Sequence, residues 1–482
     1  MINTRIIVRL LGFLLMIEGG FIMLSIPVSL IYGEKDAHVF LISGLITAFI
    51  GFISFYFNRR ADKSISKRDG YIIVSAGWVV FSVFGTLPFL LSGSIPSYTN
   101  AFFETMSGFT TTGASILNDI ESLSHGILFW RSLTQWLGGM GIIVLSLAVL
   151  PLLGIGGMQL FIAEVPGPTP DKLSPRIAGT AKRLWYIYTF FTIAETLMLW
   201  AGDMNFFDAI NHSFTTMATG GYSTKQASIA YWDSPYIHYV ITFFMFLAGT
   251  NFTLSYFALH ARFDRVFRNE EFRYYLTFIG IFTVVIAIIM YFTTSIGVEN
   301  AFRDSLFQVV SILTTTGFAT ADYLKWAPIL GVLIIALMFF GGSAGSTGGG
   351  VKIIRMVMLF KNSALELKRL IHPNAVIPVR FNKIAVEPHI VSNILAFIAF
   401  YLLTFATGVV VMSAIGSDLE TSIGAVAACL GNIGPGIGDV GPAENFSNIP
   451  VIGKWFLSFL MLIGRLELFT VLVLFSPEFW RK

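Results

Sequence analysis

Four stretches of this chain gather oxygen-bearing residues around one glycine. They are Thr110-Thr111-Thr112-Gly113-Ala114-Ser115, Met217-Ala218-Thr219-Gly220-Gly221-Tyr222, Thr314-Thr315-Thr316-Gly317-Phe318-Ala319 and Gly431-Asn432-Ile433-Gly434-Pro435-Gly436. Such runs suit the holding of a dehydrated monovalent cation. Stacked backbone carbonyls supply the ligands such an ion needs without the tight binding of a carboxylate. Turning successive carbonyls toward one axis requires angles that glycine tolerates, and threonine adds hydroxyl oxygens of the same hard kind. Aligned on Gly113, Gly220, Gly317 and Gly434, the runs recur every 97 to 117 residues. Nine residues earlier stand Glu104, Asn211 and Gln308, with Ala425 in the fourth copy. The candidate ligands are Thr111, Thr112 and Gly113; Ala218, Thr219 and Gly220; Thr315, Thr316 and Gly317; and Asn432, Ile433 and Gly434. One such run is an ordinary outer turn, but four at the same place in a repeat imply a shared site.

The elements that must position these runs are membrane spans. Hydrophobic residues make up 55% of the 482, charged residues only 12%, and mean hydropathy is +0.74. Soluble domains carry roughly 25% charge. Apolar runs fall at about 10–32, 37–57, 71–93, 127–150, 183–201, 236–260, 274–293, 326–350, 389–415 and 449–476. Each is long enough for a hydrocarbon core of roughly 30 Å, and backbone bonding in lipid makes each a helix. The basic residues sort to one side of this ten-span arrangement. Segments 58–70, 151–183, 261–273 and 351–388, with both termini, hold 24 of the 31 Lys and Arg. The positive-inside rule makes that side cytoplasmic, termini included. The run after Arg9 is too long for a cleaved signal and reads as a retained first span.

The outer connections 94–126, 202–235, 294–325 and 416–448 each open with about ten apolar or small residues and then reach a glycine run. A stretch that short reads as re-entrant, and its irregular continuation must line a cavity or be buried. A short helix aiming its C-terminus inward would turn its partial negative charge on that cavity. The fold expected is an all-α integral membrane protein with ten transmembrane helices. Four span–pore-helix–span repeats surround one pseudo-fourfold pore, with two further N-terminal spans. The divisions are 1–69, 70–180, 181–270, 271–388 (with an intramembrane loop at 341–350) and 389–482.

Two features lie where flux could be controlled. Residues 341–350 hold six glycines, among them Gly345, Gly348, Gly349 and Gly350. Each costs a helix roughly 1 kcal/mol relative to alanine, so the span should unwind there and face the pore; close packing through small residues is the other reading. Arg465 sits about 20 Å into its span at 1.5 Å per residue. Its charge there would repel cations, although a snorkelling or stabilising role is also open. Glu467, two residues on, points to another face.

With these stretches in view, the sequence resembles the Trk/Ktr/HKT superfamily of K⁺ transport proteins, and within it the TrkH/TrkG-type subunits. The resemblance runs through Met106–Ser115, Trp136–Gly141, Thr216–Ser223, Leu313–Thr320, Gly341–Gly350 and Asn432–Gly438, over essentially the whole chain. It implies four span–pore-helix–span repeats and two extra N-terminal spans. It implies K⁺ as the transported ion, with Gly113 rather than serine at the first filter position favouring K⁺ over Na⁺. It also implies a flexible intramembrane loop beneath the filter and a functional arginine at 465. The partners implied are a second copy of the chain and a cytosolic nucleotide-binding regulatory subunit of the TrkA type, in a bacterial inner membrane. A channel-like pore is expected; an H⁺- or Na⁺-coupled K⁺ symporter is the alternative, with Glu104 or Glu467 as its titratable group. The fourth run, with Asn432 and Ile433, departs from the threonine pattern.

Other signals carry less. Gly436–Gly441 fits G-x-G-x-x-G but lacks a strand–turn–helix setting. The seven histidines have no metal-ligand spacing,. The single cysteine, Cys429, excludes an internal disulfide. No nucleophile–base or paired-carboxylate set points to an enzyme, no organic cofactor is called for, and the scattered basic residues do not suit nucleic acid.

Overall fold

The N-terminal helices Thr4–Ile31 and Ala37–Phe57 form a hairpin closed by glycine on glycine. A Cβ on Gly12 would lie 2.6 Å from the Gly51 carbonyl oxygen, and one on Gly19 would lie 2.7 Å from that of Gly44. Small residues seven apart on both helices let the backbones touch, the kind of packing that holds helices together in lipid. The opposite face of the second helix exposes Leu45, Phe49, Phe52 and Phe57. Similar outward apolar faces occur on Glu270–Thr293 and Pro388–Ile415. The buried centre, by contrast, holds Ser107, Thr110, Thr216, Gln308, Ser311 and Asn432. Apolar outside and polar inside is the arrangement a lipid solvent selects. This computed structural model describes residues 2–62, 65–141 and 177–481. The inner part of the run at 127–150 and most of the basic segment 151–183 lie outside the described residues.

Among the described residues, five helices are long and apolar enough to cross a membrane, or seven if each bent pair is one span. Two of the apolar runs are bent where single spans were expected, and a third is unwound at the glycine segment, as expected. In the run 236–260, Pro235–Ala248 turns by 111° into Phe252–Leu259. Asn251 caps the new helix by accepting from the Thr253 amide at 2.7 Å. In the run 449–476, Val451–Arg465 turns by 112° into Phe469–Phe475, through Glu467 and Leu468 in left-handed conformation. The run 326–350 is helical only over Pro328–Met338. Residues 339–352 are irregular, as their glycines demand, and a helix resumes at Ile353–Ile371.

Four short helices, Tyr98–Phe109, Phe206–Met217, Val298–Leu313 and Leu419–Gly431, have 12 to 16 residues, too few to span,. Each has a buried C-terminus and leads directly into one of the four glycine runs.

Candidate functional site

The four runs leave their short helices through the same hydrogen bond. The Thr112 amide donates to Ser107 O (2.9 Å), Gly220 to Thr215 O (2.8 Å), Thr316 to Ser311 O (2.8 Å) and Ile433 to Ala428 O (2.9 Å). One residue earlier the backbone is left-handed in every copy: Thr111 (φ 54°), Thr219 (52°), Thr315 (62°) and Asn432 (53°). One residue later it is left-handed again, at Gly113 (82°), Gly221 (75°), Gly317 (83°) and Gly434 (97°). This alternation of hand turns successive carbonyls to the same side instead of to opposite sides, as a strand would. Asparagine tolerates the left-handed region. A β-branched threonine there is strained and must be held by its surroundings.

These equivalences correct the second run by one residue. Its counterpart of Gly113 is Gly221, not Gly220. Gly220 instead matches Thr112, Thr316 and Ile433, and Thr219 matches Thr111. The residue nine before the glycine is then His212, not Asn211. Asn211 bonds back to Phe207 O of its own helix at 2.7 Å. His212 Nε2 meets Ser223 Oγ at 2.9 Å, as Glu104 accepts from Ser115 Oγ at 3.0 Å in the first copy. Two adjacent glycines hid the register, whereas the Ser115/Ser223 pair carried it.

The loops close on one another in a circuit. A Cβ on Gly113 would fall 2.1 Å from Gly220 O, and one on Gly221 2.0 Å from Thr316 O. One on Gly317 would fall 1.8 Å from Ile433 O, and one on Gly434 2.9 Å from Thr112 O. Loop one therefore abuts two, two abuts three, three abuts four, and four abuts one. The four glycines share a cavity of about 80 Å³.

Behind the ring a charged frame ties the first two repeats together. Glu104 Oε1 accepts from Arg131 Nε at 2.7 Å, and its Oε2 from the Ile116 amide at 2.9 Å. Arg131 also donates to Ser223 O at 2.9 Å. Its guanidinium lies 3.6 Å from the centre of the Tyr222 ring, a cation–π contact,. Between loops four and one, Asn432 Nδ2 donates to Thr112 Oγ1 at 2.9 Å.

Below the ring, Arg465 ends its helix and fans into four acceptors. Nη1 donates to Thr111 Oγ1 (2.9 Å) and Thr347 O (2.8 Å); Nη2 donates to Gly138 O (2.7 Å) and Gly139 O (2.9 Å). The guanidinium thus bridges the first loop, the irregular segment of the third repeat and the π turn Leu137–Gly141 of the first. The segment 341–350 packs beneath loops three and four. Gly349 N donates to Thr315 Oγ1 at 2.7 Å, and a Cβ on Gly349 would lie 2.7 Å from Gly431 O. Gly348 O accepts from Lys352 Nζ. Gly345, left-handed like Gly350, accepts from the Phe252 amide at 3.0 Å. Glu467 pairs with Arg355, not with Arg465.

A sequence model of the TrkH family, described as cation transport protein, matches residues 37–482. The chain belongs to the TrkH family. It is 44% identical, over the full length of both chains, to the Trk system potassium uptake protein TrkH of Salmonella typhimurium. It is 35% identical to the Trk system potassium uptake protein TrkG of Escherichia coli, covering 100% of this chain and 99% of that one. The crystal structure of the potassium transporter TrkH from Vibrio parahaemolyticus superimposes with a TM-score of 0.90 at 39% identity, covering both chains completely. This TrkH-family chain is a membrane cation transport protein, not an enzyme.

In this TrkH-family chain, sequence reasoning missed Arg131 and Gln135, which stand one helical turn apart behind the second loop. The signal was available, since an arginine and an amide near the start of the apolar run 127–150 seldom face lipid. It also missed the left-handed Thr111, Thr219 and Thr315, for which no sequence signal exists.

Proposed function

We propose that this chain takes up K⁺ through one pore along the axis of the four-loop ring. The carrying observation is the closed circuit itself: four left-handed loops, each abutting the next, bring Gly113, Gly221, Gly317 and Gly434 to one cavity. The ion-binding filter is Thr111, Thr112 and Gly113; Thr219, Gly220 and Gly221; Thr315, Thr316 and Gly317; and Asn432, Ile433 and Gly434. Ala218 follows the second short helix as its C-cap and precedes the filter. Backbone carbonyls ligate the ion and the short helices aim their negative ends at it. The repeats run 70–180, 181–270, 271–388 and 389–482 after the N-terminal hairpin, each bent pair counting as one span.

Flux is controlled beneath the filter. Arg465 holds a positive charge on the ion's path, and the segment with Gly345, Gly348, Gly349 and Gly350 narrows that path. The helix Ile353–Ile371 continues from this segment and exposes Leu367, Leu370 and Ile371 at its far end. A cytosolic nucleotide-binding subunit of the TrkA type docks on this basic side and moves the segment. The chain works as a homodimer in a bacterial inner membrane, with both termini cytoplasmic, as its basic residues favour. The names of its relatives, which speak of a Trk system, agree with an assembly of several components.

Transport is channel-like. The two carboxylates named above for coupling, Glu104 and Glu467, are held by Arg131 and Arg355. The test is ⁸⁶Rb⁺ uptake by purified protein in liposomes, with K⁺ and Na⁺ as competitors. K⁺ should compete far better than Na⁺, and uptake should not depend on a pH or Na⁺ gradient. Uptake that collapses without such a gradient would establish the symporter instead.

A further inference from the structure

The second loop differs from the other three in what stands behind it. At the position next to the filter glycine, loops one, three and four carry Thr112, Thr316 and Ile433, whose side chains fill the space behind the ring. Thr112 Oγ1 meets Thr110 Oγ1 at 2.8 Å, and Thr316 Oγ1 meets Thr314 Oγ1 at 2.8 Å. Loop two has Gly220 there, followed by Gly221. Two successive glycines make it the loop with the widest choice of backbone conformation.

The missing side chain is replaced from another repeat. Gln135, fully buried in the helix His125–Trp136, reaches the second loop from behind. Its Nε2 donates to Gly220 O at 2.7 Å and its Oε1 accepts from the Tyr222 amide at 3.0 Å. The two bonds bracket Gly221. Only this orientation of the amide pairs donor with acceptor at both ends. A Cβ on Gly220 would fall 2.4 Å from Gln135 Cδ, so the glutamine occupies the volume that a residue-220 side chain takes in the other loops. One turn earlier on the same helix face, Arg131 holds Ser223 O and the Tyr222 ring,.

Resting on the filter reading above, we infer that Gln135 is the positioning residue that sets ion discrimination at the second loop, by fixing Gly220 and Gly221 as a side chain at 220 would. A ring can prefer the larger K⁺ over Na⁺ only if its loops resist closing on the smaller ion. Gly220 O keeps one lone pair for the ring while the other is held from behind.

The experiment is ⁸⁶Rb⁺ uptake by purified full-length protein in liposomes, read as the ratio of Na⁺ to K⁺ competition. Gln135→Leu keeps the bulk and removes both hydrogen bonds. It should strengthen Na⁺ competition relative to K⁺ by about fivefold, the change that one hydrogen bond produces. Gln135→Ala should do the same, and Gln135→Ala with Gly220→Thr should restore discrimination, because it puts at 220 the β-branched side chain that Thr112, Thr316 and Ile433 supply in the other loops. Gly220→Thr alone, colliding with Gln135, should lose uptake. A merely structural glutamine would give no rescue of the ratio by a threonine at 220. Unchanged discrimination in Gln135→Leu, with discrimination lost in Gly317→Ala, overturns the inference and leaves the filter standing. Unchanged discrimination in both overturns the filter reading itself. If Gln135→Leu is not recovered from membranes, the double substitution decides: a ratio no better than that of Gln135→Ala overturns the inference.

Discussion

In the ring, one backbone hydrogen bond and one pair of left-handed residues recur four times with little variation. Roughly 20 to 30 residues further along each repeat, the backbone departs from the α-helix in four unlike ways. The first repeat uses the π turn Leu137–Gly141 and the second a 111° bend at Gly249–Asn251. The third uses the irregular segment 339–352, and the fourth a 112° bend at Leu466–Leu468. Both layers are cyclic. A Cβ on Gly139 would lie 2.8 Å from Ala218 Cα, one on Gly249 2.5 Å from Thr314 Cγ2, and one on Gly349 2.7 Å from Gly431 O. Each of these three breaks therefore lies under the loop of the next repeat. The fourth does the same with a long side chain, Arg465, reaching Thr111. In the proposed filter, discrimination between ions needs four similar quarters, because the ion would contact all of them at once. Control of flux needs only one quarter to differ.

That contrast can be broken from either side. The largest effect should come from the frame. Glu104→Ala leaves Arg131, only 2% exposed, without its carboxylate. Breaking a buried pair by removing one partner costs about 3–5 kcal/mol, and the thermal unfolding midpoint in detergent should fall accordingly. Next comes the ring. Gly317→Ala puts a Cβ 1.8 Å from Ile433 O on a left-handed residue. Overpacking and left-handed strain together amount to about 2–4 kcal/mol, so ⁸⁶Rb⁺ uptake should drop on the order of 100-fold. The layer below should respond in the opposite direction. Under the proposed gate, Arg465→Gln removes a charge that would oppose the ion by about 2 kcal/mol at an effective dielectric near 20, and uptake should rise about 30-fold. Uptake lowered by this substitution would place Arg465 among the supports of the ring instead. The smallest effect should be that of Asn432→Thr, which makes the fourth loop resemble the others. Three threonines already adopt this conformation, so uptake should stay within about fivefold, the lost bond to Thr112 being worth about 1 kcal/mol.

The sequence revealed a good part of this and hid the rest for physical reasons. The glycine runs and the short helices before them were legible because glycine, threonine and re-entrant length are local properties. The unwinding of 341–350 was legible because so many glycines cannot hold a helix. The bends at 249–251 and 466–468 were not, because Leu466, Glu467 and Leu468 have no local reason to leave a helix. They do so through left-handed backbone at Glu467 and Leu468 and the Arg355 pair at Glu467, supplied from elsewhere in the fold. Register failed only in loop two, where Gly220 and Gly221 look alike and only their partners, Gln135 and Thr316 O, tell them apart.

The circuit of loops has a genetic consequence. It closes within one polypeptide, so every proposed pore draws its four quarters from a single allele. A cell expressing two alleles would then hold two discrete populations of pores. It would not hold the graded series of mixed pores that arises when four separate subunits assemble at random. A recessive loss in one loop would stay recessive, and a dominant effect would point to the contact between chains rather than to the ring.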